Sequence, residues 1–507
     1  MKKLIMQSRR LLTALAPLSI TALCAMLAGC NVGPKYLPPA MTAPPAYKES
    51  SAQPKEADGW AVAQPQDATL RGKWWEIYNE PELNALEDQL NIDNQNIRQA
   101  FENFMEARAL VREARSHYYP TVSVGGSYTR SRTSSNVGSS ASGGEQTQVF
   151  SFPADVSWEP DLWGKVRNTV HASQYTAQLT AADLENERLT EQASLAQYFF
   201  EIRGQDTLQQ ILNGTVEADK KALEVVRSAY DTGVDDQISV VEAQTTLKSA
   251  QSAAINIGIA RAQYEHAIAM LIGKPASAFS IPVEPRTSAP PPIPVGLPSQ
   301  LLERRPDVAA AERNMAAANA QIGVAYAAYY PALTLSATGG MESSAIKNLL
   351  KWPSRFWSVG PSVSETVYDG GLRRATVNQY IATYNADLAA YRQSVLIAFQ
   401  QVEDALAAVR IFSQQVRFQQ EAVDSSQMFL KLELGRYETG IDPYIDVIIA
   451  QTTLLSNQQS LTNLQVQEMT ASVQLIKSLG GGWNRSQLPT PAQVTQKPSK
   501  SETKIQH

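Results

Sequence analysis

The sequence predicts a mixed α and β protein built from two pseudo-equivalent halves, each a pair of strands set among helices too long for a globule. Three observations predict it. First, AYDTGVDDQISVVEAQTTL, Ala229 to Leu247, returns as RYETGIDPYIDVIIAQTTL, Arg436 to Leu454, at an offset of 207 (437 − 230 at the tyrosine). SHYYPTVSV around Pro120 returns as AYYPALTLS around Pro331, offset by 211 (331 − 120). A unit of that size exceeds the roughly 20 to 50 residues of a solenoid repeat and points to two fused halves. Second, the stretches between helices change from a helical period to a period of two. Third, Gly164 to Gly233 leaves room for about 100 Å of uninterrupted helix at 1.5 Å per residue.

From the N-terminus, residues 1–29 read as a secretory signal, with Lys2, Lys3, Arg9 and Arg10 ahead of an apolar stretch from Leu11 to Leu27. Pro17 and the small residues after it disfavour a transmembrane anchor, the alternative for so long an apolar run. Removal of four cations would take the formal charge from −5 to −9, which gives nucleic acid no basic footprint. Of the two cysteines, Cys24 lies inside the signal, so the exported chain keeps Cys30 alone and no intramolecular disulfide. Residues 30–72 carry Pro34, Pro38, Pro39, Pro44, Pro45, Pro54 and Pro65 and form an extended tether.

Helices of the first half are expected over 73–119, where Leu83, Leu86, Leu90, Ile97, Phe101, Phe104, Ala107 and Val111 recur at helical spacing until Pro120. A first hairpin follows over 120–158: Val122 and Val124 alternate with Thr121 and Ser123, and Phe150, Phe152, Ala154 and Val156 alternate with Ser151, Asp155 and Ser157. Its strands are placed at 120–132 and 147–158, with Val122, Val124, Phe150 and Phe152 facing lipid and a Ser/Gly-rich loop between them. Ten-residue segments, apolar on one face and small-polar on the other, are the mark of a transmembrane β-barrel. A half-buried hairpin in a soluble sheet is the alternative, and Pro153 and Pro361 sit awkwardly in either.

Long and returning helices occupy 159–273, and a proline-rich equatorial connection occupies 274–300. A helix over 301–330, a second hairpin over 331–367 with strands at 331–342 and 356–367, and long and returning helices over 368–479 repeat the plan. Leu333 and Leu335 take the lipid-facing places there. Residues 480–507 are a polar tail. In the returning helices Ala243, Leu247, Ala250, Ala254 and Ile257, and at the 207 offset Ala450, Leu454, Asn457, Leu461 and Leu464, keep a heptad seam. Arg261 and Glu468 break it at equivalent places and are expected to snorkel outward. Small seam residues favour a thin-walled tube over a thick core.

No catalytic constellation is visible: His117, His171 and His266 fall on separate expected helices, His507 ends the tail, and there is no P-loop, G-x-S-x-G or paired Cys-x-x-Cys. Function is expected from shape, not chemistry, with no cofactor and no metal.

The residues resemble the TolC-like outer membrane factors, in particular the lipoprotein branch that serves drug-efflux pumps of the resistance-nodulation-division type. The resemblance runs through LAGC at 27–30, GPKYLPP at 33–39, WWEIYNEPELNAL at 74–86, DLWGKVR at 161–167, LLERRPDV at 301–308, RYETG at 436–440 and SLGGGW at 478–483. Leu27-Ala28-Gly29-Cys30 is similar to a bacterial lipobox, implying a lipid on Cys30, and Asn31 in place of Asp implies the outer membrane. The resemblance implies a mixed α and β membrane channel: a homotrimeric twelve-stranded transmembrane β-barrel continued by a twelve-helix periplasmic coiled-coil α-barrel, with a small equatorial region. It further implies passive conduction of drugs or other small toxic compounds, a periplasmic adaptor meeting the helix tips at Gly233, Asp235, Asp236 and Gly440, and an inner-membrane transporter behind it. Metal-ion efflux is the runner-up within the family. A periplasmic coiled-coil adaptor lipoprotein is the rival from another class, distinguished by a single helical hairpin and lipoyl-like β segments.

The same resemblance places a periplasmic aperture at the second turn. Asp442 and Pro443 read as an N-cap followed by proline at the first helical position, with a pore role for Asp442 as the alternative. Asp446 is the acidic candidate, Ile445 and Ile449 the hydrophobic constrictions, and Tyr437 a tie to a neighbouring helix. Solvation of an exposed helix face is the plain alternative for Asp446.

Overall fold

The computed structural model describes residues 31–40, 43–49, 72–134, 136, 146–286, 288–293, 295 and 303–497. The signal, Cys30, most of the tether and the end of the tail lie outside them. Each half uses the same three helices. In the first, α1 (Pro81–Asp93) leads into α2 (Gln95–Ser116), then α3 (Lys165–Asp231) and α4 (Gln237–Leu271). In the second, α5 (Pro306–Ala327), α6 (Leu372–Glu438) and α7 (Tyr444–Ser478) follow. The lengths repeat as 22, 67 and 35 residues in both halves. Both long helices start after a glycine in the left-handed region, Gly164 at φ 81° and Gly371 at φ 92°, where a side chain would strain the backbone. Asn94 breaks the stretch expected as continuous between α1 and α2, its side chain accepting the Ile97 N–H at 3.0 Å as an N-cap.

The sheet holds β1 (Thr121–Val124), β2 (Ser127–Arg132), β3 (Gln146–Trp158), β4 (Ala332–Ser343) and β5 (Arg355–Ser364), all antiparallel. β1 and β2 share one register against β3, with Val124 opposite Ala154 and Ser127 opposite Ser151, so they form one column interrupted at Gly125 and Gly126. The interruption lies opposite Pro153, which has no N–H to donate; its carbonyl still accepts from Gly125 at 3.0 Å. On the other side Pro153 faces Gly340, where an added Cβ would come within 2.3 Å of the Phe152 carbonyl oxygen. Pro361 falls on the edge strand β5, where proline is tolerated. The sheet therefore has four columns and two unpaired edges.

Cross-strand partners share a face. Val122, Val124, Phe150, Phe152, Leu333 and Leu335 lie on one face together with Val156, Trp357, Val359 and Val363, and Ser123, Ser151, Thr334, Ser336 and Ser362 lie on the other. The apolar face is open: Val122, Val124, Trp357, Val359 and Val363 are all 65–80% exposed in the single chain. No helix among the described residues is long and apolar enough to cross a membrane.

The thickest core sits at the waist, where Trp74, Trp75, Tyr78, Leu83 and Leu90 pack on Leu195, Phe199 and Ile202 of α3, Ile268 and Leu271 of α4 and Ile476 of α7. The polar segment after Gly480 packs against the helices: Trp483 and Val494 are buried, and α8 (Pro491–Thr495) lies on α2 and α3. Arg261 and Glu468 do not snorkel outward. Arg261 Nε donates to Asp206 Oδ1 at 2.7 Å, while Glu468, 7% exposed, bonds to Ser413. Ser413 stands at Asp206 plus 207, so both seam breakers turn inward to equivalent partners on the long helices. A charged head goes inward when a buried partner waits for it.

Candidate functional site

The duplicated turns meet at the end of the molecule far from the sheet. Gly233 at φ 75° ends α3 and Gly440 at φ 72° ends α6, with Val234 N–H donating to Ala229 O at 2.8 Å and Ile441 N–H to Arg436 O at 2.9 Å. These six-to-one bonds with a left-handed glycine are Schellman closures. Thr232 and Thr439 hydroxyls cap the last carbonyls of α3 and α6 in the same way.

Beyond the glycines the halves part. In the first turn Asp236 caps α4, its Oδ1 accepting from Ser239 N–H at 3.0 Å, and Asp235 takes the Ser239 hydroxyl at 2.8 Å. In the second turn the expected cap at Asp442 is not formed. Pro443 occupies the N-cap position with no side-chain bond, and α7 begins at Tyr444. The Asp442 carboxylate instead grips the Arg436 guanidinium at the end of α6, with Nη2 to Oδ1 at 2.9 Å and a second contact through Nε. That cation holds the carboxyl below its ordinary range. At the 207 offset Ala229 stands where Arg436 does and Asp236 where Pro443 does, so the two turns differ at both of these positions.

Tyr437 is the link between the turns: its hydroxyl donates to Asp235 Oδ2 at 3.1 Å. Desolvation, then that bond, push the phenol up to about 12. Its ring lies 5.4 Å from Tyr444, which is buried with Val226, Ala243 and Val447 in the small apolar cluster under the turns. On α7, Val447 packs into that cluster and Ala450 is buried beyond it, while Ile445 and Ile449, 40% and 51% exposed, lie about 40° apart on the face opposite Val447 at 100° per residue. Asp446 is on their flank, half-buried. Gly233, Asp235, Asp236 and Gly440 share the tip with them. One acid went unnoticed in the sequence. Asp219 of α3 is 2% exposed, its Oδ2 has no hydrogen-bond partner, and burial pushes its carboxyl up to about 6. Among the described residues no group of three His, Cys, Asp or Glu could hold a metal ion.

A sheet apolar on one face, open at both edges and joined to paired helices of about 100 Å defines a tubular membrane channel component. A profile of outer membrane efflux proteins matches residues 86–274 and 297–481, and the chain belongs to that family. It is 30% identical to the solvent efflux pump outer membrane protein SrpC of Pseudomonas putida, over 91% of this chain and 97% of that one. It is 29% identical to the outer membrane protein OprJ of Pseudomonas aeruginosa, over 90% and 94%. The solved outer-membrane channel OprN superposes with a TM-score of 0.81 at 26% identity, over 90% of this chain and 100% of that one. The CmeC outer membrane channel of Campylobacter jejuni gives 0.82 at 21%, over 94% and 99%, a likeness of fold. The protein is an outer membrane efflux channel that reaches into the periplasm. The single-hairpin adaptor reading is set aside by the two strand pairs and the two helical hairpins of this chain.

Proposed function

We propose that three copies of this chain close a twelve-stranded barrel in the outer membrane and a twelve-helix tunnel below it, through which drugs, solvents or other small toxic compounds pass without chemical change. The observation that carries this reading is the four-column sheet with two unpaired edges and one exposed apolar face. Four strands cannot close alone, and about eight is the usual minimum, so β1 of one copy takes β5 of the next. A periplasmic adaptor docks at the Gly233 and Gly440 turns, with an inner-membrane transporter driving export. Names such as solvent efflux pump among the relatives support that partnership and substrate class. Ser123→Cys combined with Ser362→Cys tests the closure: oxidation is expected to give a covalent trimer on a denaturing gel, and a monomer from every neighbouring pair on these two edges rejects it.

At the tips, threefold repetition of Ile445 and Ile449 makes an apolar neck, with Asp446 carboxylates attracting cations beside it. Asp442 serves this neck indirectly, through Arg436. Asp446→Asn is expected to reduce cation preference in single-channel recordings, and unchanged selectivity removes Asp446 from the neck. Cys30, outside the described residues, carries the lipid anchor in this reading, because acyl chains add about 0.8 kcal/mol per buried CH2. Intact-mass measurement of the membrane-extracted chain decides: an unmodified Cys30 or a retained leader rejects it.

A further inference from the structure

A cavity of about 480 Å³ opens between the end of α2, the start of α3 and the C-terminal α8. Arg115 and Tyr118 of the α2 end, His171 and Gln174 of α3 and Thr495 of α8 line it, and no carboxylate does. Arg115 is exposed and in no ion pair among the described residues. One turn earlier, Arg112 has a buried Nη1 with no hydrogen-bond partner. The carboxylate felt by Tyr118, Asp161, is already occupied by Arg167 and by the N–H groups of Val166 and Arg167. Desolvation and then Arg167 press the His171 imidazole below its ordinary range, so it meets a ligand as a neutral N–H donor. The α2 dipole accounts for a cation at Arg115, in the last turn of that helix, and for none of the others.

Position supplies the second half of the argument. The carbonyl of Tyr118, a wall of the cavity, accepts the indole N–H of Trp158 at 3.1 Å. Trp158 ends β3 on the apolar face at the foot of the sheet, opposite Leu335. Indoles at a barrel's foot sit at headgroup level. The cavity therefore lies just below the apolar band, on the periplasmic side. The tail closes it deliberately: Gln174 Nε2 donates to Thr495 Oγ1 at 3.2 Å, Arg108 Nη2 donates to the Gln496 carbonyl at 3.0 Å, and a Thr490–Gln493 capping box orders the five-residue helix.

We propose that this cavity binds the phosphate of an anionic phospholipid headgroup from the periplasmic leaflet, with Arg115 as its cationic contact and His171 and Thr495 as neutral donors. An anionic headgroup supplies the missing counter-charge, and a basic pocket at this depth is where such lipids are held. The proposal rests on the sheet being the membrane-spanning part. Native mass spectrometry of the delipidated, detergent-held trimer tests it after incubation with phosphatidylglycerol or phosphatidylcholine. Retention of up to one phosphatidylglycerol per chain, with little phosphatidylcholine, is the expected result. Loss of both contacts, in Arg115→Gln with His171→Gln, should weaken retention at least about tenfold, and Arg286→Gln at the distant waist should leave it intact. His171→Gln alone covers the case in which the double variant fails to assemble. Equal retention by the variants overturns the site. Displacement of lipid by millimolar inorganic phosphate with no headgroup preference makes it a free-anion site and overturns the lipid assignment. Channel insertion into bilayers, measured on the same preparation, reports separately on the membrane reading.

Discussion

The turn that joins α3 to α4 and the turn that joins α6 to α7 share three backbone bonds, from Thr232, Gly233 and Val234 and from Thr439, Gly440 and Ile441, yet little of their side-chain chemistry. Asp236 caps α4, whereas Pro443 stands in its place and presets the first turn of α7 by its fixed φ. Asp235 accepts from its own helix and from Tyr437, whereas its counterpart Asp442 is spent on Arg436. A few residues higher the contrast recurs. Ser426 accepts from Asn457 Nδ2 at 2.6 Å in the second half, while the equivalent places in the first hold Asp219 and Ala250, and Asp219 keeps an unpartnered oxygen. The first half buries an acid at Asp219, whereas the second pairs Asp442 with Arg436 nearer the surface, where salt screens the link. Duplication fixed the geometry and left the side chains free to diverge.

The largest effect should come from Asp219. Its folded pKa of about 6 lies above the ordinary carboxylate value of 3.8, so the native chain binds the proton first as pH falls. The native state is therefore favoured as pH drops from about 6 to about 4 and penalised above it. Asp219→Asn is expected to stabilise the assembly at pH 7 by about 1 to 2 kcal/mol, the scale of one unpaired buried group, and to lose the advantage near pH 4. The thermal midpoint of the trimer at both pH values reads this out. A variant no more stable at pH 7 than the parent would mean that the buried acid costs the first half nothing. Asp219→Ser with Ala250→Asn transplants the second-half pair and should recover the same gain.

Next comes the link between the turns. Tyr437→Phe deletes a half-buried bond to a carboxylate worth about 1.4 kcal/mol, so the open population should rise about tenfold. Single-channel open probability measures it, and no rise would free Tyr437 of any gating part. Arg436→Gln should act in the same direction, more weakly, and its effect should fade in high salt.

How much of this was legible follows from what each signal depends on. The offset of 207 survives because no residue was gained or lost between the tyrosine and the end of the returning helix, so turn placement and helix lengths could be counted. Alternation gave the faces of the sheet because cross-strand partners obey the same period as the chain. The mixed α and β channel was thus readable before any coordinates. Partners across the seam were not: Arg261 finds Asp206 from 55 residues away, a distance at which only packing decides direction. Nor was the missing Asp442 cap, because an Asp-Pro pair fits two phasings of the helix start, and the Arg436 guanidinium settled the choice. The break at Gly125 depends on Pro153 across the ladder, a pairing that neither residue's neighbours reveal.

The smallest effect discriminates best between a turn that unravels and a turn that moves whole. Asp236→Ala removes a side-chain cap and should cost about 1 kcal/mol at the start of α4, speeding amide exchange over residues 237–241. Pro443→Ser at the other turn does two opposing things. The serine hydroxyl offers a cap to the N–H groups of α7, a gain of about 1 kcal/mol, while the lost ring restores freedom to the unfolded chain, a cost of about 0.4 to 1 kcal/mol. Exchange over residues 444–448 should therefore change little, even as Asp236→Ala loosens its own turn. If so, the two starts are equally firm by different means, and what separates the halves is how each turn is docked. α7 would then leave its neighbours as a rigid helix, released by Tyr437 and Arg436, with Ile445 and Ile449 travelling together. Faster exchange at 444–448 in the parent protein than at 237–241 would reject that picture, because the neck would then open by fraying its first turn.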